Sequence, residues 1–508
     1  MTGEVLHNAW IVFVFAAYFA ILIGIAIVRV RSMSAMSDYV LGRRRLSSFT
    51  TALSAGSSTT SGWTMLVFPA LAFTSGANQL WLVVFLVIGA WINWTIVAKR
   101  LRRYTISMDD SLTLPEFLER RLRDETKVLR AISAAFTIFF IVFYITSGLV
   151  AGSKLLNTQF GLDSTLGLIL TLIAISSYTF IGGFLAVSRT DVFQALLILV
   201  GFVIMLATVI IAAEDPLGGV GGGVEGFMNP LTDTQGQVVT PVFVIGMMGW
   251  GLGFFGAQHV LQRFMAVERE DLIKQSRNLS TLWLCLVYSL SFLLGLFARP
   301  ALDEAGITIL DAERVYLLVA EYFFPAVIGG LLLTSVIAAV MSTADSQLLL
   351  SSAIAAGDLP MLRGFAGSLS ASRRVWLGRG LLILIGTLAA VLAIAFPDTV
   401  LNLVAYAWGG MGATFGPAVI LALYWRRFNL SGAIAGVVVG FVVASLWQFV
   451  LSGGPHGMFE VMPALPGFLA GGLAAIAGTL LTAPPAEDCA REFDEVVRGS
   501  PAQAGTPA

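Results

Sequence analysis

Two stretches of this 508-residue chain carry residues that could replace the water around a small cation. The first is Ser54-Ala55-Gly56-Ser57-Ser58-Thr59-Thr60-Ser61-Gly62-Trp63, whose five consecutive hydroxyl residues interrupt an apolar run that resumes through Met65 to Phe73. The second is Ala339-Val340-Met341-Ser342-Thr343-Ala344-Asp345-Ser346. At about 100° per residue, Ser342, Asp345 and Ser346 share one helix face, with Thr343 on its flank. A hard cation takes oxygen ligands. Hydroxyls, a carboxylate and backbone carbonyls freed where a helix breaks at mid-membrane depth would supply them.

Each feature has a structural alternative. Small hydroxyl residues also let helices approach closely. Asp191 follows Ser188-Arg189-Thr190 at the start of an apolar run and reads as a second carboxylate at depth, as an N-cap, or as a partner of Arg189. Asp345 reads as a buried charge or as a cytoplasmic-end residue reaching water. A charge at depth costs at least ~2.5 kcal/mol on insertion scales, so it marks a site where it occurs. Trp63, Tyr144, Trp250 and Phe254 lie in or near interrupted or polar patches. Singly, such aromatics pack or anchor at interfaces; together they could wall a small apolar-plus-charged solute.

The elements that must position these residues are membrane spans. The chain is 57% hydrophobic and 12% charged, against about 25% charged for soluble domains. A net charge of -1 argues against nucleic acid as a partner. Cys285 and Cys489 allow no disulfide framework or thiolate metal site, and His7, His259 and His456 are far apart. His259 falls at the cytoplasmic end of a predicted span, where a satisfied structural role is expected. The first apolar run, Ala9 to Val28, lacks a basic leader and reads as a span rather than a cleaved signal.

Hydropathy predicts about 13 spans, at 8–29, 48–74, 78–98, 128–155, 163–184, 190–213, 240–263, 278–298, 322–352, 375–396, 400–425, 430–452 and 464–483. The cationic loops then fall on one side. They include Arg31 and Arg43 to Arg45, Lys99 to Arg103, Arg120 to Arg130, Arg263 to Arg277, Arg363 to Arg374, and Arg426 and Arg427. Only Lys154, Arg299 and Arg314 fall on the other, which predicts an external N-terminus and a cytoplasmic C-terminus. The glycine-rich loop Glu214 to Thr240, including Gly222 and Gly223, is expected to be external and flexible. The run Ile309 to Tyr322 is expected as a short amphipathic helix on the outer surface, and residues 484–508 as a disordered cytoplasmic tail.

A second interrupted span lies at Gly246 to Gly256. Its literal G-x-G-x-x-G, Gly251, Gly253 and Gly256, has no strand before it and is no dinucleotide motif. The two breaks are five spans apart. An inverted repeat predicts broken helices in corresponding positions. The domain 1–483 then divides into a leading helix at 8–29, repeats at 48–213 and 240–425, and trailing helices at 430–483.

On these residues the chain resembles the solute:sodium symporter family, most strongly its proline-transporting branch. The matching runs are Asp38 to Gly42, Thr51 to Gly56, Ser61 to Trp63, Gly89 to Trp94, Ser147 to Gly152, Thr179 to Ser188, Met248 to Gly253, Ala338 to Thr343 and Ala405 to Trp408. They span nearly the whole chain except its tail. The resemblance implies an all-α polytopic membrane protein with the leucine-transporter-type five-plus-five inverted repeat. It implies sodium-coupled import of a small amino acid, proline first, through a cell membrane, with sodium as coupling ion and no other cofactor. Carried over, sodium would meet backbone oxygens of Ser57 and Thr60, the carbonyl of Ala339, and the hydroxyls of Ser342 and Thr343. A second cation site known in some relatives maps to Asp191, Ser342, Asp345 and Ser346. The solute pocket would comprise Ser58, Ser61, Gly62, Trp63, Tyr144, Trp250, Phe254 and Gln258.

The chain departs from the pattern where Thr59 replaces an aspartate, Phe254 a tyrosine, Gln258 a proline, and Asp345 a serine. The carboxylate has in effect moved from the second span to the ninth, which would change the number of coupling ions or admit protons. Gln258 adds an amide suited to a more polar solute. The competing readings are a proton-coupled or different-solute member of the family. An enzyme would need a nucleophile–base pair or metal cluster at depth, a channel a repeated pore ring, and a sensor an added domain, for which the tail has no room. The sequence leaves the oligomeric state open.

Overall fold

The computed structural model describes residues 2–30, 36–221, 224–451 and 461–498. Among them the chain is helical. It begins with α1 (Thr2–Val30), α2 (Met36–Leu41), α3 (Ser48–Ser57), α4 (Phe68–Ser75), α5 (Leu80–Asn93), α6 (Lys99–Ser107) and α7 (Leu114–Arg121). There follow α8 (Val128–Phe160), α9 (Ser164–Ala212), α10 (Pro241–Leu252), α11 (Gln258–Ala266), α12 (Ile273–Glu304) and α13 (Val315–Tyr322). The chain ends with α14 (Ala326–Asp358), α15 (Pro360–Ser368), α16 (Ala371–Ala395), α17 (Val400–Tyr424), α18 (Leu430–Leu446), α19 (Ala464–Leu481) and α20 (Glu487–Arg498).

Starts are set by local chemistry. Ser47 accepts from the Thr50 amide to cap α3, and Thr240 caps α10 with Pro241 in its first turn. Asp163 accepts from Thr165 and Leu166 to cap α9. α14 is buried along most of its length and packs against α8, α9, α1 and α16.

Among the described residues, ten helical stretches are long and apolar enough to cross a membrane, and eleven if the bent pair 241–255 and 258–266 is one span. That is fewer than the 13 expected. Stretches of 45 and 49 residues, Trp63–Ser107 and Ser164–Ala212, each count once. Both change direction at a glycine in the left-handed region, Gly76 (φ 78°) and Gly183 (φ 60°), with no intervening loop. The expected spans 48–74 and 78–98, and 163–184 and 190–213, meet at these two turns, so each long stretch takes in parts of two expected spans.

Three peripheral expectations change. The loop from Glu214 to Thr240 is packed down rather than loose: Val220 and Phe227 are buried, Ala77 N–H donates to Phe227 O (2.8 Å) and Trp81 Nε1–H to Pro230 O (3.0 Å). Gly222 and Gly223 lie outside the described residues, as do Arg31 and His456. The run before Tyr322 does form a helix, α13, but Val315, Tyr316, Val319 and Ala320 bury it. The tail expected to be disordered contains α20, which buries Cys489, Phe493 and Val496. Arg123 pairs with Asp488 and Glu492, and Arg426 with Asp494, across that contact. Residues 499–508 lie outside the described residues.

Candidate functional site

The second span breaks where its hydroxyls turn onto their own backbone. Ser58 Oγ donates to Ala55 O (3.2 Å), Thr59 Oγ1 to Gly56 O (2.6 Å) and Thr60 Oγ1 to Ser57 O (3.1 Å). The amides of Thr59 and Thr60 bond three residues back, to Gly56 and Ser57. Such bonds compete with the helical ladder. α3 therefore ends at Ser57, and helix resumes at Trp63 as a wide π turn. Gly62 lies in the gap, where an added Cβ would sit 2.4 Å from Ala151 Cβ on α8.

α14 meets this break. Ser342 Oγ donates to Ser57 O and Ala339 O, both at 3.1 Å, and Thr343 Oγ1 lies 3.5 Å from Ser57 O. With Thr60 Oγ1, three hydroxyls converge on one carbonyl. Ser57, Thr60, Ala339, Ser342 and Thr343 are all buried. A hydroxyl proton can rotate away and present lone pairs instead. The cluster is thus a set of oxygens, all neutral, from two helices far apart in sequence.

A second cluster lies one turn along α14. Ser346 Oγ bonds Ser342 O (3.0 Å) and Asp345 Oδ1 (3.1 Å), while Tyr178 O–H donates to Asp345 Oδ2. Asp191 Oδ2 accepts from Ser54 Oγ (2.6 Å) and from Arg263 (3.2 Å). Arg263 also donates to Ser346 Oγ, to Ser54 Oγ (3.1 Å) and to the carbonyl of His259 (2.9 Å). All six residues, Ser54, Tyr178, Asp191, Arg263, Asp345 and Ser346, are fully buried.

Several expected placements are corrected here. Arg263 is no loop cation: α11 carries it into the interior. Asp191 is no cap, because α9 continues through it. Asp345 does not reach water. His259 lies buried in the first turn of α11, its ring 5.9 Å from Tyr144 and 6.3 Å from Trp408, and neither ring nitrogen closes a hydrogen bond among the described residues, so the expected satisfied histidine is not found.

The seventh span breaks at the end of its glycine run, at Gly256 and Ala257, with a bend of 45° between Phe255 and Gln258. Aromatic rings gather between the two breaks. Trp63 stacks on Trp250 (5.2 Å) and lies 5.9 Å from Tyr288. Phe254 meets Trp408 edge-on at 4.8 Å, and Trp408 lies 6.4 Å from Tyr144. Gly253 permits this, since a Cβ there would lie 2.0 Å from Trp408 Nε1. Asn93 Nδ2 holds Phe254 O at 3.0 Å. Buried polar atoms are normally paired, yet among the described residues Ser61 Oγ, the Tyr144 and Tyr288 hydroxyls and Gln258 Oε1 close no hydrogen bond. Gln258 Nε2 donates to Thr137 Oγ1.

The site thus unites most of the residues singled out from sequence and adds Ser54, Asn93, Tyr178, Arg263, Tyr288 and Trp408. Arg263 had one local signal, a cation only seven residues after a glycine break. Tyr178 and Tyr288 lie within expected spans, beside Ser177 and Thr179 and beside Ser289, with no spacing that set them apart.

The sequence pattern of the sodium:solute symporter family matches residues 39–440. The sodium/proline symporter of Escherichia coli (strain K12) is 38% identical over 492 residues, covering 95% of each chain. The high-affinity proline transporter PutP of Bacillus subtilis (strain 168) is 36% identical over 464 residues, covering 91% of this chain and 96% of its own. A Na+-coupled sialic acid symporter, solved in a substrate-bound outward-open state, superposes with a TM-score of 0.77 at 18% identity. That match covers 94% of this chain and 98% of the other, so the leucine-transporter-type inverted-repeat fold is shared.

Proposed function

This chain belongs to the sodium:solute symporter family, and from that premise we propose that it couples sodium entry to import of L-proline through a bacterial-type cytoplasmic membrane. The observation that carries the reading is the bond from Ser342 to Ser57 O, made by the turn that also feeds the aromatic box. Sodium sits among Ser57, Thr60, Ala339, Ser342 and Thr343 and bridges α14 to the broken span. It thereby orders Ser58, Ser61, Gly62 and Trp63, which face the solute. Two ligands that favour one arrangement bind each other's state more tightly, which is linkage.

Trp63, Trp250 and Phe254 suit a compact aliphatic ring, while Ser61, Tyr144 and Gln258 offer polar atoms to its amine and carboxylate. The free Oε1 of Gln258 also favours a second reading within the family, a solute carrying one more donor. The Asp191–Asp345–Ser346 cluster is a second place where positive charge is favoured.

The charged network supports a cytoplasmic C-terminus. Arg44, Arg102, Arg103 and Arg123 connect through Met265, Val267, Glu270 and α20 at one end of the molecule. Lys154 pairs with Asp311 and Glu313 in a separate group. The bulk of the cations then lies inside. Residues 48–213 and 240–425 act as the two repeats.

Labelled proline uptake into proteoliposomes tests the function. An inward sodium gradient is expected to drive accumulation. Equal accumulation with choline on both faces overturns the reading.

A further inference from the structure

We propose that the corner between α15 and α16 is a docking site for the headgroup of an anionic phospholipid. Between Asp358 and Asp398 the sequence has no acidic residue, while Arg363, Arg373, Arg374 and Arg379 all lie there. The protein leaves most of this charge unanswered. Arg363 lies 3.7 Å from Glu119, a carboxylate that Arg130 already holds. Arg374 donates to the carbonyls of Leu369 and Gly367, both at 3.1 Å, which ties α16 back to α15 without neutralising the cation. Arg373 stands exposed in the first turn of α16. Arg379 lies over the Trp376 and Phe180 rings, at 4.8 and 5.3 Å, and gives one N–H to Ile181 O (3.3 Å), while its buried Nε–H finds no acceptor among the described residues. Among those residues, Arg373, Arg374 and Arg379 join no ion pair.

The same corner presents an apolar side. α15 leaves the end of α14 at Leu359, with Pro360 in its first turn. Met361 (91% exposed) and Phe365 (56%) are four residues apart and share a helix face. Trp376 on α16 is 57% exposed. A helix with apolar residues on one face and cations around it rests at the membrane interface, its apolar side in the acyl boundary. Tryptophan settles at headgroup depth. Seated this way, the corner carries its guanidinium groups at the level of the lipid phosphates, whose oxygens match the forked N–H donors of arginine. A free phosphate offers those oxygens but nothing to Met361 and Phe365, whereas a phospholipid engages both sides. Each cation near an anionic surface strengthens the attraction about fivefold. A cluster without carboxylates therefore selects a lipid of net negative charge over a zwitterionic one.

The test follows the thermal unfolding midpoint of the full-length chain in a neutral detergent as phosphatidylglycerol, phosphatidylcholine with the same acyl chains, or inorganic phosphate is added. Phosphatidylglycerol is expected to raise the midpoint at concentrations where the other two do not. Arg373→Gln with Arg374→Gln is expected to raise the half-effective phosphatidylglycerol concentration roughly tenfold or more. Arg373→Lys with Arg374→Lys keeps the charge and is expected to stay within about threefold of the parent. A spin label on Met361→Cys, in a chain with Cys285→Ser and Cys489→Ser, is expected to meet oxygen more often than a water-soluble nickel chelate in vesicles containing phosphatidylglycerol. Equal shifts with the two lipids overturn the proposal, as does a shift with phosphate alone. So does an undiminished response in Arg373→Gln with Arg374→Gln, or a label that meets the chelate more often than oxygen. If the Arg373→Gln, Arg374→Gln chain fails to fold, the three additions to the intact chain and the label at position 361 still decide.

Discussion

Trp408 donates its indole N–H to the carbonyl of Trp250 at 2.8 Å, tying α17 to the last turns of α10 before the seventh span breaks. The same indole stands edge-on to Phe254. One side chain therefore sets the positions of two walls of the aromatic box from outside it.

Trp408→Phe keeps a ring but loses the donor, worth about 0.5–1.5 kcal/mol. Its half-saturating proline concentration is expected to rise roughly three- to tenfold, with the maximal rate changed much less. Uptake kinetics at saturating sodium measure this. An unchanged proline dependence would remove Trp408 from the positioning of the box.

Ser342→Ala and Thr343→Ala each remove one oxygen from the neutral cluster. The half-saturating sodium concentration is expected to rise roughly tenfold or more in each. High sodium should recover proline affinity, as linkage requires. A sodium dependence equal to that of the parent would place the ion elsewhere.

Arg130 joins α8 to the end of α14. Its Nε donates to Asp358 at 2.7 Å and a second nitrogen lies 2.5 Å from Glu119, while Thr113 Oγ1 donates to the other Asp358 oxygen. Breaking a buried pair by removing one partner costs about 3–5 kcal/mol. Arg130→Ala should lower the thermal unfolding midpoint in detergent. Adding Asp358→Asn should recover part of the loss, because no lone buried carboxylate then remains at that position.

Cys489 reports on the docking of α20. Burial pushes its thiol up from the ordinary range, and the thiolate is the reactive form. Maleimide labelling should be slow at neutral pH and quicken in alkali. With the folded value raised, docking is supported below the ordinary thiol range and weakens as pH rises above that range and through the raised value. Phe493→Ala, which removes the ring over which Arg121 lies, should speed labelling at constant pH. Equal rates in both proteins would mean that α20 is not held by that contact.

Much of the fold was legible because its causes are local. A run of hydroxyls from Ser57 to Ser61 cannot continue a helix quietly, since each side chain has a backbone oxygen within reach. The shared face of Ser342 and Ser346 follows from helical periodicity alone. The turn at Gly183 was legible only as a boundary between spans, because its flanks are apolar on both sides. The seventh span bends at the last glycine of its run, Gly256, while Gly253 instead lets Trp408 approach the backbone.

The sequence by itself determined that this is a polytopic helical membrane protein, where two spans are interrupted, and which hydroxyls and carboxylates lie together along one helix. These are consequences of hydropathy and of spacing, which act between near neighbours. Only the tertiary structure decided which charges meet. Arg263 reads as one more cytoplasmic cation until α11 is seen to fold inward, setting its guanidinium between Asp191 on α9 and Ser346 on α14. No local rule fixes that encounter, because the favourable partner of a buried charge is chosen by the packing of three helices and not by the residues beside it.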